Sequence, residues 1–183
     1  MTTAIPHSIA HRPLRTVAPV PRWVVWTAHI VALTPVPSGL WRVALGLGVP
    51  VGFSGELAHQ FAAPGWITLY VILLSLLAEA AALLVFGLVR PWGEVVPRWI
   101  PVLGGRPVPV LAAVLPAALG AVAVTAFGIV SAASWYGPEN NGDPEAPQGL
   151  AGLVMTAAYA PMLLWGPLLA VVTAAYCLRR RRS

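Results

Sequence analysis

Four stretches of this chain, at about 23–49, 66–89, 108–134 and 150–178, each run for twenty residues or more with hardly a charge. At 1.5 Å per helical residue that is the length that crosses a hydrocarbon core about 30 Å thick. Composition leaves no soluble alternative. Of 183 residues 58% are hydrophobic and 9% are charged, against about 25% charged in a soluble domain. Eleven arginines and six acids cannot cover an apolar core with a polar surface. Intrinsic disorder is excluded as well, because so apolar a chain has ample surface to bury. The expected fold is an all-α integral membrane bundle of four transmembrane helices, with a basic, proline-containing tail at 1–22, the helical domain at 23–178 and a basic tail at 179–183.

Punctuation divides the spans. The first is interrupted by Pro35-Val36-Pro37-Ser38-Gly39. Either a long helix kinks there, or it breaks and a second short helix over 40–48 continues it. The second starts after Pro64-Gly65 and stops at Arg90-Pro91; only Ser75 and Glu79 interrupt its deeper part. The third follows Pro107 and Pro109 and carries Pro116. The fourth follows a Gly/Pro/Asn/Asp loop and should bend at Pro161 and Pro167. Ala113, Ala117 and Ala121 recur at spacing four, which lets helix backbones approach closely in lipid.

The net charge of +5 would raise nucleic acid as a partner in a soluble protein, but the distribution of charge argues for topology instead. With the N-terminus in the cytoplasm, Arg12, Arg15, Arg22, Arg90, Arg98, Arg106 and Arg179 to Arg182 all fall on the inner side. Glu56, Glu139, Asp143 and Glu145 fall on the other side, whose loops carry no arginine. Shifting the assignment by one span destroys this separation. The expected location is therefore the bacterial inner (plasma) membrane, multi-pass, with both termini cytoplasmic and no nucleic-acid partner. Trp23, Trp26, Trp66, Trp92, Trp99 and Trp135 fall near the expected interfaces, where an indole buries its ring and keeps its N–H wet. No apolar signal region or cleavage site precedes the first span, so no removable signal peptide is expected. A single cysteine, Cys177, excludes an internal disulfide.

Glu79 stands out, because a charged carboxyl near the middle of a span costs about 2.5 to 3.5 kcal/mol to insert. It is read either as a proton acceptor, cation site or substrate anchor, or as a neutral carboxyl hydrogen-bonded between helices, with Ser75 one turn earlier as a partner. Its other candidate partners are ranked by depth. In straight helices His29 lies about 9 Å and Glu79 about 15 Å from the inner end, with Arg42 about 13 Å beyond Glu79. Arg42 is either a snorkelling arginine or a buried partner for Glu79 or an anionic headgroup. His29 is either a satisfied polar residue or a participant in chemistry.

The loop 90–109 is the most idiosyncratic segment. Arg90, Arg98 and Arg106 recur every eight residues beside Trp92 and Trp99, and five prolines forbid a long helix. The loop is read as an anchor at the inner interface, or as a lipid-phosphate site built on those three guanidiniums and two indoles. Two motifs in this region, W-G-E-x-x-P-R-W-x-P-x-x-x-G-R-x-V-P from Trp92 to Pro109 and L-W-R-x-A-x-x-x-G-V-P from Leu40 to Pro50, resemble a group of small multispanning actinobacterial membrane proteins of unknown function. The resemblance covers about the middle half of the chain. It implies a helical membrane fold and transfers no activity or site residues.

No phosphate-binding loop, dinucleotide fingerprint, H-E-x-x-H or C-x-x-C occurs, and His7 and His11 lack a third ligand nearby; neither cofactor nor metal is expected. The function expected first is a non-catalytic membrane component that binds membrane lipids or a protein partner, a second copy of itself included, or that serves a small transporter or accessory complex. The alternative is a membrane-embedded enzyme on a lipid or isoprenoid-like substrate, with Glu79 as acid/base and His29 or Arg42 assisting.

Overall fold

The computed structural model describes residues 19–102 and 104–182. Most of the expected 1–22 tail, with His7, His11, Arg12 and Arg15, lies outside the described residues, as does Ser183.

Helix α1 (Arg22–Leu33) starts behind Pro21, whose fixed φ of −59° suits a helix entry. It ends where Pro35 and Pro37 have no N–H to donate to the carbonyls of Val31 and Leu33. Thr34 repairs part of that loss, since its hydroxyl donates to the Val31 carbonyl at 2.7 Å. Helix α2 (Val36–Gly46) then resumes, so the interruption is two residues long, and the second piece starts four residues before the position expected from sequence. Pro37 falls in the first turn of α2, where backbone donors have no intrahelical partner anyway.

A short helix α3 (Gly55–Gln60) follows, then α4 (Trp66–Leu83), which tightens into a 3-10 segment at Leu84–Leu88. Helix α5 (Val110–Ala133) is unbroken despite Pro116. The last stretch consists of α6 (Gly149–Tyr159), a 3-10 turn at Ala160–Leu164 containing Pro161, and α7 (Trp165–Arg182). Pro167 sits in the first turn of α7, where backbone donors have no partner within the helix anyway. Four helical stretches, Arg22–Gly46, Trp66–Leu88, Val110–Ala133 and Gly149–Arg181, are long and apolar enough to cross a membrane. Among the described residues no strand forms; Val95 and Pro107 make one isolated antiparallel bridge.

The first span lies between the second and the fourth, and α5 packs chiefly on α7. The core collects Val24, Ala28, Val31 and Ala32 of α1, Ala82, Val85 and Leu88 from the second span, and Trp165, Val172 and Tyr176 of α7. The contact between α5 and α7 depends on small residues. Ala121 is buried, and a Cβ on Gly166 would run into the Thr125 hydroxyl and come within 2.8 Å of the Ala121 carbonyl. Close backbone approach of this kind holds helices together by dispersion where no water drives them to associate.

The two ends differ in chemistry. At the acidic end, Ser54 N–H donates to the Glu145 carbonyl at 2.9 Å and Leu57 N–H to its carboxylate at 3.0 Å, which ties the α2–α4 connection to the α5–α6 loop. The opposite, basic end carries the 90–109 loop and the end of α7.

Candidate functional site at the basic end

The loop 90–109 is a folded structure with named ties to the bundle. Arg90 precedes a proline, which drives it into the extended region (φ −106°, ψ 155°) and turns the chain out of the helix. Pro91–Gly93 forms one 3-10 turn that folds back over the end of the second span. The fold-back depends on two glycines. A Cβ on Gly93 would collide with the Gly87 carbonyl, and a Cβ on Gly87 would lie 2.8 Å from the outer ring atoms of Trp92. Trp92 therefore lies against bare backbone. Beyond the turn the two arms pair: Val108 N–H donates to the Glu94 carbonyl at 2.8 Å, Val96 N–H to Arg106 at 2.9 Å and Gly105 N–H to Val96 at 2.8 Å.

Glu94 fastens this cap to α7. Its carboxylate is buried and meets Arg179 at 2.7 Å and Arg180 at 3.9 Å. Arg180 also donates to the Val108 carbonyl at 2.8 Å and Arg179 to the Leu88 carbonyl at 3.4 Å. The buried Tyr176 hydroxyl donates to the Gly93 carbonyl at 3.0 Å, and both guanidiniums lie near its ring. Charge distribution along the chain identifies these arginines only as topology signals and gives Glu94 no role. One signal was available: Glu94 is the sole acid in the segments assigned to the basic side. A lone carboxylate among so many arginines has a strong electrostatic reason to be paired.

With Glu94 engaged, Arg90, Arg98 and Arg106 are exposed and, among the described residues, have no ion pair or side-chain hydrogen bond. Trp92 is 43% and Trp99 82% exposed beside them. Two open grooves flank Trp92. One, of about 540 Å³, is lined by Leu83, Phe86, Arg90, Pro91 and Trp92; the other, of about 520 Å³, by Trp92, Val96, Pro97, Trp99 and Ile100.

The polar residues of the spans do not converge. Glu79 is half-buried on α4 and has no hydrogen-bond or ion-pair partner among the described residues. Ser75 donates instead to the Val71 carbonyl at 2.6 Å and accepts Arg42 Nε at 3.0 Å. Arg42 is buried, with its guanidinium 5.7 Å from the centre of the Tyr159 ring. Ser75 lies nine residues into α4, about 14 Å from its acidic end, so Arg42 reaches well into the bundle. His29 donates from Nδ1 to the Val25 carbonyl at 2.7 Å, and its ring meets Phe86 edge-on at 5.0 Å. Aromatic contacts explain the position of Arg42: Tyr159 is flanked by Trp41 at 5.7 Å and Trp135 at 5.5 Å, and Trp135 donates to Thr156 at 3.1 Å. That cluster joins α2 to α6 from residues distant in sequence. Among the described residues no group of three or more His, Cys, Asp or Glu side chains is placed to hold a metal.

Comparison with family models, with curated proteins and with solved structures finds no match to this chain.

Proposed function

We propose that this chain is a multi-pass protein of the bacterial inner membrane with both termini cytoplasmic, its first span bent at Pro35/Pro37, and that it is a non-catalytic component whose cytoplasmic end binds membrane lipid. One observation carries the reading. The only acid of the described basic end is consumed by Arg179 and Arg180, which leaves Arg90, Arg98 and Arg106 exposed beside two exposed indoles on a folded cap. Such guanidiniums are suited to lipid phosphate, and indoles to the headgroup zone. In a multi-pass protein a rigid cap of this kind would hold lipid at a fixed place on the bundle, as an accessory subunit or a small transporter component requires. The resemblance to the actinobacterial group supports a helical membrane fold and adds no residue to this site. The distribution of polar groups gives an enzyme less support, since His29 and Arg42 are both engaged away from Glu79.

The test is native mass spectrometry of the detergent-purified protein. The wild type should retain anionic lipid, and the triple variant R90Q/R98Q/R106Q should lose it. Equal retention by the two, with the fold intact, refutes the reading.

A further inference from the structure

Resting on that reading, we propose that the groove between the end of the second span and the Pro91–Gly93 turn binds one anionic phospholipid, its phosphate on Arg90 and an acyl chain along Leu83 and Phe86. Three features of the groove converge on this ligand.

The first is the placement of the cation. Arg90 lies two residues beyond the Trp66–Leu88 span, at the level where an interfacial arginine meets headgroups. Its extended backbone sends the side chain away from the helix axis, and the guanidinium lies 6.0 Å from the centre of the Phe86 ring. Phe86 is itself held on another side by the edge of His29. A cation–π contact at that distance uses none of the guanidinium N–H donors, which leaves them for a phosphate.

The second is shape. The groove is lined by apolar side chains apart from Arg90, and its volume of about 540 Å³ falls within the range of about 300–1,000 Å³ typical of small-molecule sites. Leu83 lies toward the apolar middle of the span and Arg90 at its mouth, so a ligand here is apolar at one end and anionic at the other. Trp92 forms the wall because Gly87 leaves room for its ring.

The third is the sign of the headgroup. A zwitterionic lipid presents an ammonium or choline that needs a carboxylate. The carboxylate of this end, Glu94, is buried in its pairing with Arg179 and Arg180. Arg98 and Arg106 add positive potential nearby but do not line this groove. The site therefore favours a headgroup of net negative charge.

The experiment is native mass spectrometry of the full chain, titrated with phosphatidylglycerol or phosphatidylethanolamine, with thermal unfolding of each variant as the fold control. Wild type should bind one phosphatidylglycerol tightly and phosphatidylethanolamine about tenfold more weakly, the scale of one charge-assisted hydrogen bond. R90Q should lose about tenfold for phosphatidylglycerol, and R90K, which keeps the charge without the fork, should lie between. L83W, which fills the groove at an exposed position and leaves Arg90 in place, should lose the lipid as R90Q does. The double variant R98Q/R106Q, which removes nearby positive potential but no residue lining the groove, should lose less affinity for phosphatidylglycerol than R90Q. If the double variant loses as much as R90Q, or if L83W binds normally, the site is wrong although the lipid-binding reading stands. If phosphatidylethanolamine binds as tightly as phosphatidylglycerol, the headgroup assignment is wrong. If even the triple variant R90Q/R98Q/R106Q keeps its lipid, both the site and the reading fall.

Discussion

Replacing Glu94 by Gln tests how the basic end is held together. At an effective dielectric constant of about 20, opposite unit charges at the 2.7 Å and 3.9 Å separations of Glu94 from Arg179 and Arg180 attract by about 6 and 4 kcal/mol. Desolvation of three largely buried ions costs several kcal/mol each and cancels most of that gain. The net contribution of the cluster is therefore small, but removing its one anion is not a small change. Arg179 then loses its 2.7 Å contact, and Arg180, its side chain 18% exposed, loses the carboxylate that faces it. Leaving buried charge uncompensated costs about 3–5 kcal/mol. A domain of this length shifts its midpoint by about 2–4 °C per kcal/mol, so E94Q should melt at least about 6 °C lower in detergent. Trypsin should also cut faster at the Arg98–Trp99 bond, because the cap has lost its tie to α7. The double variant E94Q/R179Q relieves the repulsion between the two guanidiniums and should regain part of the loss. A midpoint for E94Q within about 1 °C of wild type, with unchanged proteolysis, would refute the latch.

Glu79 has no hydrogen-bond or ion-pair partner to lose among the described residues, so E79L should leave the detergent midpoint unchanged or raise it, where a carboxyl bridging two helices would cost about 1 kcal/mol; a fall of that size would show a bond absent from the described structure. For the α5–α7 contact, G166L should destabilise by about 1–3 kcal/mol, because its side chain meets the Thr125 backbone, which cannot turn aside; an unchanged midpoint in thermal unfolding would show a tolerant contact. Reporter fusions after Arg106 and Ser183 should report cytoplasm and one after Asp143 periplasm, and a cytoplasmic signal at Asp143 would overturn the proposed orientation.

Much of the architecture is legible in the sequence for a simple physical reason. A bilayer is a solvent with one dimension, so the length of an apolar run and the prolines and glycines that bound it largely determine each span. The four stretches at 22–46, 66–88, 110–133 and 149–181 match the expected ones to within a few residues at each end. Charge asymmetry along the chain likewise separates a basic end from an acidic one without any knowledge of packing. Depth was harder to read for Arg42. A distance counted along straight helices put it about 13 Å beyond Glu79 toward the acidic end, and on that same side its side chain reaches inward to Ser75, one turn from Glu79 on α4, and to Tyr159.

The partners of polar groups were decided by tertiary structure alone. Periodicity identifies Glu79, Arg42 and His29 as unusual residues but contains nothing about which helix faces which. Only packing of the first span between α4 and the fourth stretch puts Arg42 beside Ser75 and leaves Glu79 without a partner among the described residues. The latch lay still further from view, since Glu94 and Arg179 are 85 positions apart and meet only because α7 ends beside the fold-back at Gly87 and Gly93. The sequence determines the properties that depend on one segment and its solvent. Pairing between segments depends on the backbone approach that small residues allow, and that is fixed only once the helices have packed.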